Sequence, residues 1–112
     1  MKIDDEMFRK IESELEILER HLKILRIVIE NEPIGILKIS EETGLSNHKV
    51  RYSLRILEHF GLIEPSPHGA VLTKRATEII ARFDEDLSDI TERFERVEKI
   101  AREIVNLFKK SH

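Results

Sequence analysis

The chain has 112 residues, of which 19 are Lys or Arg and 22 Asp or Glu, for a net charge of −3, and it contains neither Cys nor Trp. That length sets the expectation of one domain, or one domain with helical arms. The lack of Cys excludes disulfide frameworks, thiolate zinc sites and cysteine catalysis. No apolar run approaches the ~20 residues of a membrane span, and the acidic start Asp4-Asp5-Glu6 is unlike a signal peptide, so a soluble, cytoplasmic protein is expected. Gln is absent and Ile, Glu, Lys and Arg are heavily used, the bias of a heat-adapted proteome; a thermophilic source fits it.

From Phe8 the apolar residues Phe8, Ile11, Leu15, Leu18, Leu22, Leu25 and Ile29 follow alternating steps of three and four, a heptad seam that predicts a first helix. Asp4 or Asp5 caps its start, and Asn31-Glu32-Pro33 stops it. Near its end the helix is apolar nearly all round (Ile24, Leu25, Ile27, Val28, Ile29), which predicts burial there. Residues 5–20 need a partner along one stripe only.

After a short extended piece, Ile36 to Thr43 reads as a helix ended by Gly44, with Leu45 plugging the turn into the core. Ser46 then caps a second helix, Asn47 to about Phe60, closed by Gly61. Its predicted inward face is Val50, Leu54, Leu57 and Phe60, and its outward face Asn47, His48, Arg51, Tyr52 and Arg55. Leu62 to Glu64 is a predicted strand, Pro65 to Gly69 a turn, and Ala70 to Leu72 the return strand.

Thr73 is the expected cap of one unbroken helix from about residue 74 to 110, roughly 55 Å long. Its seam runs Ala76, Ile80, Phe83, Leu87, Ile90, Phe94, Val97, Ala101, Ile104, Phe108. Glu92 and Arg96, Glu95 and Lys99, and Glu98 and Arg102 are i,i+4 pairs in the favourable order. A stripe this long, left bare, would be an exposed apolar patch; a coiled-coil or bundle dimer interface is the sharper reading, a long core helix within a monomer the blander one. Laid antiparallel on itself about Glu92, the seam sets Ala76 opposite Phe108 and Ala101 opposite Phe83, small against large. The expected dimer interface is Phe8, Ile11, Leu15 and Leu18 with Phe83, Leu87, Ile90, Phe94, Val97, Ala101, Ile104 and Phe108. The first helix joins in if the assembly is a four-helix bundle.

Charge is segregated: residues 1–32 carry −3, residues 33–75 carry +2 and residues 76–112 carry −2. Lys49, Arg51, Arg55, Lys74 and Arg75 face only Glu58 and Glu64 within residues 45–75, which also hold His48, His59 and His68. The middle is the one region suited to approach a polyanion.

Ile39-Ser40-Glu41-Glu42-Thr43-Gly44-Leu45-Ser46, then Val50, Leu54, Leu57, Gly61-Leu62-Ile63 and Leu72-Thr73-Lys74, resemble the winged helix-turn-helix transcription regulators of archaea and bacteria over about residues 22–80. With its long terminal helices the chain is similar to small archaeal winged-helix proteins that dimerise through a coiled coil. The family usually has Ala at Ser40 and Gly at Ala76, both departures that should fit. The resemblance implies a mainly α fold with a small β-hairpin wing, divided into an N-terminal arm (1–21), a winged domain (22–80) and a C-terminal dimerisation helix (81–112). It also implies a helix, Asn47–Phe60, entering the major groove of double-stranded DNA with its amino-terminal half leading. Arg51 or Arg55 suits guanine O6 and N7, Asn47 suits adenine, Lys49 and Lys74 suit phosphates, and Tyr52 suits a phosphate or a stacked base. His48 and Arg75 complete the set. The wing Pro65–Gly69 has no Arg or Lys at its tip, leaving His68 as its candidate contact.

No His, Asp or Glu set has metal-ligand spacing, so His21 and His112 read as surface residues and no metal or cofactor is expected. No Gly-rich phosphate loop is present, Glu41 and Glu42 diverge on their helix, and Ser46 and Ser53 have no organised base; an enzyme is the least supported class. A homodimeric, sequence-specific DNA-binding regulator is the leading reading. A winged-helix module that binds protein partners through its arms is the alternative, favoured by the acidity and the bare wing. A sequence-neutral chromatin-type binder is the third, and a more basic chain would favour it.

Overall fold

The computed structural model describes residues 3–112, in the order α1 (Glu6–Asn31), α2 (Ile36–Thr43), α3 (Asn47–His59), β1 (Ile63–Ser66), β2 (Gly69–Leu72), α4 (Ala76–Ile80) and α5 (Phe83–Ser111). It is mostly helical with a two-stranded hairpin, as expected. The chain divides into a unit that ends at Ala76 and a second, Thr77–His112.

In the first unit, Asp5 caps α1 by accepting the Phe8 N–H at 3.1 Å. Ile24, Leu25 and Val28 of α1 join Ile39, Val50, Leu57, Leu62 and Ile63 in the core. Burial of the end of α1 is one-sided, contrary to expectation: Ile29 is 44% exposed, because α3 and β2 are the elements that pack most closely on α1. Gly44 ends α2 in the left-handed region (φ 73°), its N–H donating to the Ser40 carbonyl, a conformation that costs a glycine least. The Ser40 hydroxyl donates to the Leu45 carbonyl, fixing the turn between the two helices. Ser46 caps α3 by accepting the Lys49 N–H at 3.2 Å.

The inward face of α3 differs from the expected one. Val50 and Leu57 are buried, Leu54 is half-buried, and Phe60 is 63% exposed. The helix ends at His59, and Gly61 at φ 80° swings the chain toward β1, so Phe60 caps the helix and meets the His59 ring edge-on at 5.1 Å. The buried residue that replaces it is Ser53.

Ser53 meets a second unexpected core residue. His21, read from sequence as a surface side chain, is 8% exposed, and its Nδ1 lies 2.8 Å from Ser53 Oγ in a hydrogen bond from α1 to α3. The Tyr52 ring stands beside it, centroids 5.8 Å apart. Burial, and secondarily the Arg20 charge, hold the His21 pKa below its ordinary 6.5.

Both strands run further than expected. The register pairs Ile63 with Leu72 and Ser66 with Gly69, which shrinks the turn to Pro67-His68. The Ser66 hydroxyl makes this possible, donating to the Gly69 carbonyl at 2.6 Å and accepting the His68 N–H at 3.3 Å. Ile34 adds a third rung: its N–H and carbonyl bond Ala70 at 3.2 and 2.8 Å. Glu32 accepts the Leu72 N–H at 2.9 Å.

The continuous C-terminal helix is corrected in three respects. Thr73 does not cap it; its hydroxyl donates to the Gly61 carbonyl, tying the return strand to the end of α3. Ala76 is no free seam residue but is buried in the first unit, which removes the Ala76–Phe108 pairing. The helix breaks at Ala81-Arg82, where the Arg82 N–H reaches back only three residues, to Ile79, and Arg82 sits at φ −92°, ψ −6°. Asp84, Glu85 and Asp86 then fill the first turn of α5, where carboxylates favour a helix start. No residue of α5 is buried. Leu87, Ile90, Phe94, Val97, Ile104 and Phe108 are 45–63% exposed, and Phe83 and Ala101 are half-buried. Of the three expected ion pairs only Glu98–Arg102 closes, at 3.1 Å.

Two stability predictions follow from this packing. A Cβ at Gly69, which sits at φ 123°, would overlap the Ile34 carbonyl; Gly69→Ala should therefore lower the free energy of unfolding by about 2 kcal/mol or more, read from urea melts. A His21 pKa lower in the folded than in the unfolded chain means that the unfolded state binds more protons between those two values, so stability rises with pH there. His21's contribution should be complete above pH 6.5 and lost as pH falls toward the folded value. Urea midpoints of the native chain should therefore drop more on acidification than those of His21→Gln, and parallel curves would refute the assignment.

Candidate nucleic-acid interface

At about 100° per residue, the exposed positions of α3 gather on one side of the helix, opposite Val50 and Leu57. Asn47, Arg51 and Arg55 form one stripe, joined by Glu58 a turn further on; His48, Tyr52 and His59 form the adjacent one. Lys49 stands at the far edge, beyond Tyr52. All six α3 residues assigned from sequence are exposed. The helix presents them because Ser46 fixes its start and the buried Val50-Ser53-Leu57 row fixes its rotation.

Lys23, Arg26 and Lys38 all have a carboxylate within 4.0 Å. Among the described residues, no such partner stands beside Lys49, Arg51, Arg55, Lys74 or Arg75, nor beside Arg9, Lys10 or Arg20 of α1. The first turn of α3 also contains no acidic residue, so the positive end of its backbone dipole adds to the same field. Unpaired guanidinium groups on a rigid helix keep their donor forks free for a planar acceptor pair.

The remaining assigned residues sit on other elements. His68 is exposed at the two-residue hairpin tip, and Lys74 and Arg75 are exposed in the turn between β2 and α4. Sequence reasoning missed the His21–Ser53 hydrogen bond behind this face. The available signal was Ser53 falling among the inward positions of α3, where a small hydroxyl needs a buried partner. Among the described residues no group of His, Asp and Glu could hold a metal ion, and no helix is long and apolar enough to cross a membrane.

Residues 17–64 match the family described as "Winged helix-turn-helix DNA-binding". That span runs from the second half of α1 through α3 into β1. No curated protein is a significant match to the sequence. Among solved structures the chain is similar to the activation domain of the phage T4 transcription factor MotA, with a TM-score of 0.53 and 24% identity over 67% of this chain and 80% of that one. It is also similar to quinone-bound YodB of B. subtilis, with a TM-score of 0.51 and 22% identity over 75% of this chain and 98% of that one. Staphylococcus aureus MarR, in complex with salicylate and kanamycin, gives a TM-score of 0.47 and 20% identity over 87% of this chain and 76% of that one. Helix-turn-helix, hairpin and the match over residues 17–64 agree on a winged helix-turn-helix fold for the first unit.

Proposed function

We propose that the protein is a non-enzymatic transcription regulator that binds double-stranded DNA sequence-specifically as a homodimer, with α3 in the major groove. The observation that carries this reading is the set of unpaired cations on the exposed face of a buried-side-anchored helix in a domain whose family is described as DNA-binding. Arg51 and Arg55 are the base-reading candidates, for guanine edges, and Asn47 the candidate for adenine. Lys49, Tyr52, Lys74 and Arg75 are assigned to phosphates, with His48 and His68 at the margins. Two copies would present two such helices to a two-part site.

Dimerisation is assigned to the apolar stripes of α5 and of the first half of α1. The charge of α5 supports an antiparallel arrangement. Asp84, Glu85, Asp86, Asp89 and Glu92 are unaccompanied by any Lys or Arg between them, whereas residues 93–112 hold Arg93, Arg96, Lys99, Arg102, Lys109 and Lys110 against Glu95, Glu98 and Glu103. Antiparallel pairing sets the acidic half of one copy against the basic half of the other and keeps Phe83 opposite Ala101.

A second reading has one specific support. One of the similar structures is the activation domain of a transcription factor, so a winged unit of this shape is compatible with a protein-binding role. Under that reading the stripes of α1 and α5 are the working surface.

Fluorescence anisotropy against a random-sequence duplex pool separates the two. The native chain should bind tightly at low salt and weaken as salt rises, with a slope near −0.9 per neutralised phosphate. An Arg51/Arg55 double alanine should lose affinity and, in the bound pool, base preference; no binding at low salt would overturn the DNA reading. Phe94→Asp, in the middle of the α5 stripe, should convert a dimer to a monomer in sedimentation equilibrium while leaving the helical signal of the winged unit in place.

A further inference from the structure

We propose that the hydrogen bond between His21 and Ser53 is a proton-sensitive latch that holds α3 in its DNA-reading pose, so that protonation of His21 weakens DNA binding. This rests on the DNA-binding reading above and adds a regulatory input to it.

The geometry supplies the latch. His21 is 8% exposed on α1, and its partner Ser53 is fully buried on α3, at the contact between the two helices. The hydrogen bond of 2.8 Å joins them. Ser53 is flanked by Tyr52, whose ring lies against the imidazole and which is itself exposed on the α3 face. One side of the Tyr52 ring thus meets a titratable group while the other edge reaches solvent beside Arg51 and Arg55. A change at His21 is felt first at the residues that read DNA.

The surroundings make the ring sensitive to charge. Facing it are Tyr52 and Ser53 from α3, with Lys49 exposed one turn before Ser53, and Arg20 on its own helix. The β2 strand, the other element packed most closely on α1, is Gly-Ala-Val-Leu and holds nothing titratable. Among the described residues no carboxylate lies within 4.0 Å of His21. An imidazolium formed there gains no counter-ion, keeps its desolvation cost and meets the repulsion of Arg20. The lowered pKa agrees with this environment. Relief comes from moving the ring toward water, which parts α1 from α3 at Ser53 and Tyr52.

Linkage fixes the sign. If protonated His21 disfavours the pose that DNA selects, bound DNA must in turn disfavour protonation of His21. The α3 face also holds the exposed His48 and His59, and the hairpin tip the exposed His68. His21→Gln leaves those three unchanged, keeps a side chain able to hydrogen-bond Ser53 and removes only the buried titration.

The experiment compares duplex affinity from pH 8 to pH 5.5 for the native chain and His21→Gln at constant salt, using the pool selected by the native chain. The two should bind alike at pH 8, and as pH falls toward the folded chain's His21 pKa, which lies below 6.5, the native chain should weaken relative to the variant, by at most about tenfold per pH unit. In parallel, the His21 ring resonance of the native chain is titrated with and without duplex, a measurement that needs no variant to fold. Its midpoint should fall when DNA is bound. Parallel affinity profiles, or a midpoint that DNA raises or leaves unmoved, overturn the latch while leaving DNA binding intact. Absence of binding by the native chain at pH 8 overturns the DNA-binding reading itself, and the latch with it.

Discussion

The contact between α1 and α3 is the constraint on which the rest of the winged unit depends. Ile24, Leu25 and Val28 on one side and Val50 and Leu57 on the other are each worth about 1.5–3 kcal/mol when fully buried, and together they supply most of the adhesion. The His21–Ser53 hydrogen bond adds about 1 kcal/mol net, little beside that. Its value is directional: apolar faces tolerate sliding and rotation, whereas a 2.8 Å bond between named atoms does not. The rotation of α3 about its own axis decides whether Arg51 and Arg55 face solvent or the core. A polar pair inside an otherwise apolar contact therefore matters more to what the domain presents than to how stably it folds.

The hairpin depends on the same contact at one remove. A two-stranded hairpin is marginal alone, and this one borrows its support from the segment after α1, through the Ile34–Ala70 bonds and the Glu32 carboxylate on the Leu72 N–H. The Thr73 hydroxyl then ties the return strand to the end of α3 at Gly61. The return strand is thus fastened both to the segment that follows α1 and to the end of α3, the helix that bears most of the candidate interface. Gly69 is needed where the strand crosses closest to Ile34; the Pro67-His68 tip beyond it carries no fixed cation.

Local signals were the legible ones. Ser46, Gly44 and Gly61 mark helix ends through backbone chemistry that acts within a few residues, so the helix-turn-helix could be read to within a residue of its observed limits. The outward set on α3 was equally legible, since periodicity separates it from Val50 and Leu57. What could not be read was anything decided by a partner far along the chain. His21 and Ser53 are 32 positions apart, and nothing near either announces the other. Phe60 looks inward by period but falls where the helix has already ended, and Thr73 looks like a cap but finds the Gly61 carbonyl first. The break at Ala81-Arg82 had a local sign, the acidic run Asp84–Asp86, which an unbroken apolar seam concealed. Which residues of the α3 face touch a ligand is a different question from where they lie, and only the second is set by folding.

The exposed stripes set a magnitude that limits how the arms can assemble. Leu87, Ile90, Phe94, Val97, Ile104 and Phe108 are each roughly half exposed, so covering them recovers on the order of 1 kcal/mol per side chain. Two copies of α5 meeting along this stripe bring together about a dozen such side chains. That gain is comparable with the 4–15 kcal/mol that association costs in lost freedom, so α5 paired with itself alone is a marginal interface. The half-exposed Phe8, Ile11, Leu15 and Leu18 of α1 raise the available gain by about two thirds. In the proposed dimer, a stable interface would therefore draw on the α1 stripe as well as the α5 stripe. Because α1 also carries His21, the helix that would be gripped by the partner is the same helix that fixes the rotation of α3. In the proposed dimer, assembly and the presentation of the candidate DNA-reading face would then both act through α1.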